Sequence, residues 1–428
     1  MTSPGFMVEL HSLAGPVVTR RPRWRTPAAA VVVLLLLAGA WPYNLLMLRV
    51  VREDHLGDFG RLYYSARQFD AGRSLYGESP VDIGTSGRKS LFNLNPPHAH
   101  IPFLLLGRLS EATVFAVGLG LGLLSLLVCV RMGLVAAGHR SWLLVAGIAF
   151  LAPALAPAQA VVGTGQFFAW WLAIPALFAW RAARRNAWNE SGAWLGVLAA
   201  LKPFALLFLP YLIISRRWRA AGIFTAVIAG TIAAGVAVYG VHSYVEWVQS
   251  LRQSTWFANR LNGSFLAWCE RLFGRTHVAL PTAPDAILTY GPLWSARWLV
   301  QPLSYGLSAL IGALTLWLSR RADSDHAFVL LVAAALLISP LGWTYYLWLA
   351  AAPLVVLVVR DSVFRRAAAA VVPFALWPIH LIRIGQPSPL ATLTIGSASF
   401  WLVFGLWFAV ALSIGNGARF RRPAAFVA

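Results

Sequence analysis

The chain has 428 residues, of which 59% are apolar and 12% charged, where soluble domains run at about 45 to 50% apolar and about 25% charged. A water-soluble surface cannot be built from this, and the apolar fraction is equally incompatible with a solvated polybasic chain despite a net charge of +20. What remains is an all-α polytopic membrane protein. Two cysteines, Cys129 and Cys269, form neither a metal-ligand spacing nor a disulfide framework.

The first apolar run, Pro27 to Val50, is too long for a signal-peptide core and lacks a small-residue cleavage site, so it reads as a retained span. Further spans read as 109–130, 141–160, 164–180, 220–240, 296–318, 364–380 and 396–415. Seven short basic loops between them (Arg20 to Arg25, Arg131 with Arg140, Arg181 to Arg185, Arg216 to Arg219, Arg320 with Arg321, Arg360 to Arg366, and Arg419 to Arg422) hold 20 of the 35 cations. The positive-inside rule makes all seven cytoplasmic, which is why the cation excess is read as topology rather than nucleic-acid affinity. It follows that 1–26 is a basic cytoplasmic N-terminus, 27–415 one membrane domain with outer loops 51–108 and 241–295, and 416–428 a cytoplasmic tail. Ser191 to Ser215 is too short to cross twice, so a membrane-embedded hairpin turning at Lys202-Pro203 is expected. His326 to Val359 allows two shortened spans that turn outside at Ser339 to Trp343. The total is about 12 membrane helices. Trp41, Tyr43, Trp170 and Trp171 suit interfacial belts.

In the first outer loop Phe59, Leu62, Ala66 and Phe69 recur at helical spacing, which predicts an amphipathic helix along the membrane surface. Asp58 opens it. An acid there can simply be an N-cap or first-turn residue. But the capping-box partner is missing, because residue 61 is Arg, and a cation one turn away keeps Asp58 ionised and fit to act as a general base. Glu53, Asp54 and Asp70 read as solvated. Downstream, Pro96 and Pro97 fix an extended return to the membrane, and His98-x-His100 lacks a third metal ligand and reads as an interfacial turn.

Three polar sites follow at membrane depth. Gln166 opens a span and needs a partner. Lys202, at the hairpin tip, is a phosphate-binding candidate unless a salt bridge or snorkelling accounts for it. Tyr345 and Tyr346 follow the Ser339 to Trp343 turn, rich in hydroxyls and aromatic rings. Asn262-Gly263-Ser264 fits a glycosylation pattern, and no nucleotide-binding fingerprint is present.

Asp58-Phe59 with Tyr63-Tyr64, then Pro96-Pro97, Gly165-Gln166, Leu201-Lys202-Pro203, Arg216-Arg217-Trp218-Arg219 and Ser339-Pro340-x-x-Trp343, taken in this order, resemble glycosyltransferase family 87 across roughly residues 55 to 350. No one motif is specific; their order and their places relative to the basic loops carry the resemblance. It implies a GT-C fold similar to that of the mycobacterial phosphatidylinositol-mannoside mannosyltransferase. It also implies a polyprenyl-phosphate-linked sugar donor used at the outer face of the cytoplasmic membrane, with Asp58, Gln166 and Lys202 at the family's acid, Gln and Lys positions. Where relatives often carry His after the Ser-Pro-x-x-Trp motif, this chain has Tyr345 and Tyr346.

The residues suit that chemistry independently. A sugar on a phosphodiester already has a leaving group, so transfer needs a base for the acceptor hydroxyl and cations for the departing phosphate. Asp58 is the expected base, Arg61 and Lys202 the cations, with Gln166, Tyr345 and Tyr346 binding substrate. The expected partners are a lipid or glycan acceptor and membrane lipids, with no metal, cofactor or nucleic acid. The transferred sugar would be a hexose such as mannose, or a pentose. A transporter or lipid flippase, and a silent relative that binds a lipid-linked sugar, are the alternatives.

Overall fold

A computed structural model describes residues 27–77, 93–254, 257–274, 277–280, 283–289, 292–376 and 388–420. The expected N-terminal segment 1–26 and most of the expected tail lie outside the described residues. Helix α1 (Pro27–Glu53) passes through a left-handed turn at His55, Leu56 and Gly57 into α2 (Gly57–Asp70). The chain resumes extended at Asn93, and helix begins only after Pro96, in a short turn Pro97–His100 and α3 (Ile101–Leu106). Ser110 caps α4 (Glu111–Ala136) and Ser141 caps α5 (Trp142–Leu151). The expected span 141–160 is bent by 66° between α5, with its prolonging turn, and α6 (Ala156–Thr164), where Pro153 and Pro157 cannot continue a straight ladder. Two helices follow, α7 (Phe167–Trp171) and α8 (Ala173–Arg184).

Within the expected hairpin 191–215 the chain reverses direction. α9 (Trp188–Leu201) ends at Lys202, whose backbone is extended, and the chain returns through a tight turn, Pro203–Leu207, into α10 (Phe208–Ile214). Its two ends meet again where the Arg217 guanidinium lies over the rings of both Trp188 and Tyr211. Helix α11 (Trp218–Arg252) is not one rod. At Gly240 φ is 75° and ψ 163°, and the Tyr244 hydroxyl donates to the Ile232 carbonyl at 3.1 Å, although twelve residues of straight helix would separate them by about 18 Å. Only the part before Gly240 fits the expected span 220–240.

Beyond α12 (Phe265–Phe273), β1 (His277–Leu280) and β2 (Ala283–Thr289) form a short antiparallel pair within the expected second outer loop of this otherwise helical chain. Then come α13 (Arg297–Ser319), α14 (Ser324–Ile338), a tight turn Thr344–Ala350 leading into α15 (Ala351–Arg360), α16 (Ser362–Ala368), α17 (Val372–Ala375), α18 (Pro389–Leu393) and α19 (Ala398–Phe420). The expected span 364–380 starts instead as short helices bent by 109° from the 344–360 segment. Among the described residues four helices are long and apolar enough to cross a membrane, or six if each bent pair counts as one span. Helix α14 lies at the centre, apolar all round and buried from Ala327 to Leu337 between α8, α13, α15 and α19.

Two sequence expectations fail here for one reason, which is that tertiary packing covers faces that composition alone leaves open. Helix α2 is buried on nearly every side from Phe59 to Ala66, so it is a packed helix rather than one lying half in lipid. Trp170 is buried as well, and Trp171 packs on Phe59 and Phe103, so neither belongs to an interfacial belt.

Candidate active site

The site begins with two glycines. The Gly165 turn ends α6 with φ 72°, and its backbone lies directly on the turn before α2: a Cβ on Gly165 would come within 2.5 Å of the Leu56 carbonyl oxygen, and one on Gly57 within 2.7 Å of the Thr164 oxygen. Only glycine allows both the positive φ and the contact. Each glycine is followed by a polar side chain, and so Gln166 Nε2 donates to Asp58 Oδ2 at 2.7 Å. Arg61 Nε lies 3.1 Å from the other carboxylate oxygen. Asp58 makes no cap: α2 is preceded by Leu56 in a left-handed conformation with no side-chain cap bond. Phe59, packed edge-on against Phe103, Phe167 and Trp171, fixes the roll of α2 and with it the direction of the carboxylate.

Lys202 enters from the hairpin tip. Its Nζ donates to Asn95 Oδ1 at 2.6 Å and sits 5.8 Å from the Phe168 ring centre and 5.2 Å from that of Tyr346. The Tyr346 ring rests on Phe204, from the hairpin, and against Tyr345, which stacks on Trp343. The Asp58 charge acts on Lys202, Tyr345 and Tyr346, and that of Arg61 on Tyr345. The structure therefore gathers Asp58, Arg61, Gln166, Lys202, Tyr345 and Tyr346 at one place.

Sequence reasoning missed the residues that hold these in position. Asn95 is set by Asn93, whose Oδ1 accepts from the Asn95 backbone and amide, and by Tyr76, whose hydroxyl donates to the Asn95 carbonyl at 2.7 Å. The turn carrying Tyr345 and Tyr346 is clamped by Asn262, fully buried, which donates to the Phe257 and Pro340 carbonyls and accepts from Gly342 N. A glycosylation acceptor cannot be buried in this way, so the pattern at Asn262 is structural. Arg271, also fully buried, donates to the Asn259 and Asn262 carbonyls and so backs the same clamp. Alternating asparagines in a loop have no periodicity, and Asn93 and Asn95 on either side of Leu94 were the only available signal. His98 Nε2 donates to the Ala200 carbonyl and His100 Nδ1 to those of Pro96 and Pro97. Burial holds both imidazoles below their usual range, His100 at about 4.

An apolar cavity of about 390 Å³ starts at Leu347 and Trp348, directly after the tyrosine pair, and runs between Leu126, Leu155, Phe364 and Leu406. The site holds a carboxylate and a lysine among aromatic rings, in a chain with helices long and apolar enough to cross a membrane. A sequence model of glycosyltransferase family 87 matches residues 93–340, more than half of the chain. The chain belongs to that family. It is a glycosyltransferase and a membrane protein, and as such it uses a sugar donor and an acceptor. The matched stretch contains Asn95, Gln166, Lys202 and Asn262, while Asp58 precedes it and the tyrosine pair follows it. No curated protein and no solved structure matches the chain.

Proposed function

We propose that this family 87 glycosyltransferase moves a hexose or pentose from a polyprenyl-phosphate donor to a lipid or glycan acceptor, with inversion, at the outer face of the cytoplasmic membrane. The observation that carries the reading is the Asp58 carboxylate held between Gln166 and Arg61, in a site to which the 202–203 turn brings Lys202 with its Nζ 5.2 Å from the Tyr346 ring centre. The bond between the sugar's anomeric carbon and the phosphate oxygen breaks and its electron pair leaves with the polyprenyl phosphate, while the acceptor oxygen attacks the opposite face and gives its proton to Asp58. Lys202 meets the growing charge on the phosphate, with Arg61 as a second cation. Gln166 donates to the Asp58 oxygen it already holds and so fixes the direction of the other lone pairs. The lipid tail lies along the apolar chamber.

The basic loops support the placement. Arg184 pairs with Asp325, Ser324 with the Ala183 carbonyl, and Arg360 with the Ala137 carbonyl, and His326 bonds Asp361, so these described loops assigned to the cytoplasm meet one another. In this reading the broken elements complete about twelve passes in a GT-C-like arrangement. A chain that holds a lipid-linked sugar without transferring it is the second reading, favoured by Tyr345 and Tyr346 where relatives often have His. Purified protein incubated with polyprenyl-phosphate sugars and lipid acceptors decides between them. Formation of an inverted glycoside supports transfer, and donor binding without product supports the silent reading.

A further inference from the structure

Helix α2 has a second polar wall that this chemistry leaves unused. A concavity of about 400 Å³ lies between the end of α1, α2 and the start of α4, lined by His55, Tyr64, Arg67, Gln68, Arg73 and Glu111. Its carboxylate is held in place: Glu111 accepts from the Tyr64 hydroxyl at 2.6 Å and lies 3.2 Å from His55 Nδ1. Burial, and after it the bond to Glu111, pushes the Tyr64 phenol up, so this hydroxyl remains a donor. Arg67 is anchored independently. Its Nη1 donates to the Tyr63 hydroxyl at 3.2 Å, and that hydroxyl donates to the Leu109 carbonyl at 2.9 Å. The side chains of Arg67 and Arg73 are both exposed.

This mixture selects its ligand. A bare anion would gain two guanidinium groups but meet Glu111, and a cation would meet the reverse. A polyol suits both, because its hydroxyls can donate to the free lone pairs of Glu111 and accept from Arg67 and Arg73. Resting on the transfer reading above, we propose that this concavity is a carbohydrate subsite that holds the glycan part of the acceptor, separate from the Asp58 site and joined to it by the turn from His55 to Asp58. That turn is left-handed at His55 and Leu56, with φ 48° and 69°, a conformation that non-glycine residues keep only where the surroundings enforce it. A ligand on His55 and Glu111 therefore bears on the backbone that aims the base.

The test uses the full chain in lipid nanodiscs, with soluble hexose and pentose oligosaccharides followed by saturation-transfer NMR and inorganic phosphate as a separate arm. At least one oligosaccharide should bind the wild type, and Glu111→Gln and Arg67→Met should each weaken it by about tenfold or more. Lys202→Met should bind it as wild type does. If Glu111→Gln melts well below wild type, Arg73→Ala, at an exposed residue of the same lining, carries the test in its place. No oligosaccharide binding, binding untouched by these substitutions, or binding of phosphate alone would overturn the subsite. Failure of the transfer reading would show separately, as full activity of Asp58→Asn, and leaves the binding result interpretable.

Discussion

Asp58 and Asp361 both stand at the start of a helix, and the chain uses them in opposite ways. Asp361 caps α16, accepting from the backbone N–H groups of Val363 and Phe364, and its second oxygen meets His326 and Ser413. At the same end Asp323 accepts from the backbones of Asp325 and His326 and lies 2.9 Å from the His326 ring. Burial pushes Asp323 up, but these bonds outweigh it and bring it down to about 2. Such acids are spent on helix ends. Asp58 makes no helix cap; Gln166, from the turn after α6, donates to one of its oxygens, and Arg61, one turn on in α2, lies beside the other. In the proposed reading, an acid held by side chains rather than spent on a helix end is the one left for the acceptor proton.

Gly165→Val should break the contrast most severely. It puts a branched side chain where Cβ alone would come within 2.5 Å of the Leu56 oxygen at positive φ, a backbone cost of about 1 to 3 kcal/mol before any clash. Transfer should be abolished, and a protease-sensitivity assay should show α2 loosened. Lys202→Met removes a charged contact worth about 1.5 to 3 kcal/mol, so donor titration should give an affinity lower by about ten- to a hundredfold, in a protein that still inserts. Asp361→Ala acts on the capping acid. Losing the cap should cost about 0.5 to 2 kcal/mol, visible as a lower melting temperature with turnover per folded molecule unchanged. The smallest effect is a matter of pH. His100 is held at about 4 in the fold against about 6.5 unfolded, so its contribution is whole above pH 6.5 and is lost as pH falls toward 4, amounting to less than about 1 kcal/mol at pH 6. The melting temperature should fall between pH 7 and pH 6, and His100→Asn should flatten that slope.

Two breaks in the fold were legible because each carries a chemical signature, a lysine and proline at 202 and 203 and two prolines at 96 and 97, whereas the break at Gly240 and the bends after α5 and before α16 were not. The residues that brace the site were not legible. Asn262 and Arg271 work through carbonyls 78 and 12 positions away in sequence, and no local pattern reports a bond of that kind. Glu111 opens α4 like any first-turn acid, and only the structure shows that Tyr64 and His55 turn toward it. The β1–β2 ladder escaped notice because an outer loop of mixed composition does not declare period-two alternation.

The contrast between the two acids is tested most directly by measuring transfer and melting temperature together for Asp58→Asn and Asp361→Asn. Asparagine caps a helix about as well as aspartate but cannot accept the acceptor's proton. The account predicts a loss of at least about 100-fold in transfer for Asp58→Asn, with donor binding and melting temperature held, and near wild-type transfer for Asp361→Asn. Full activity of Asp58→Asn, or an equal loss in both variants, would contradict it.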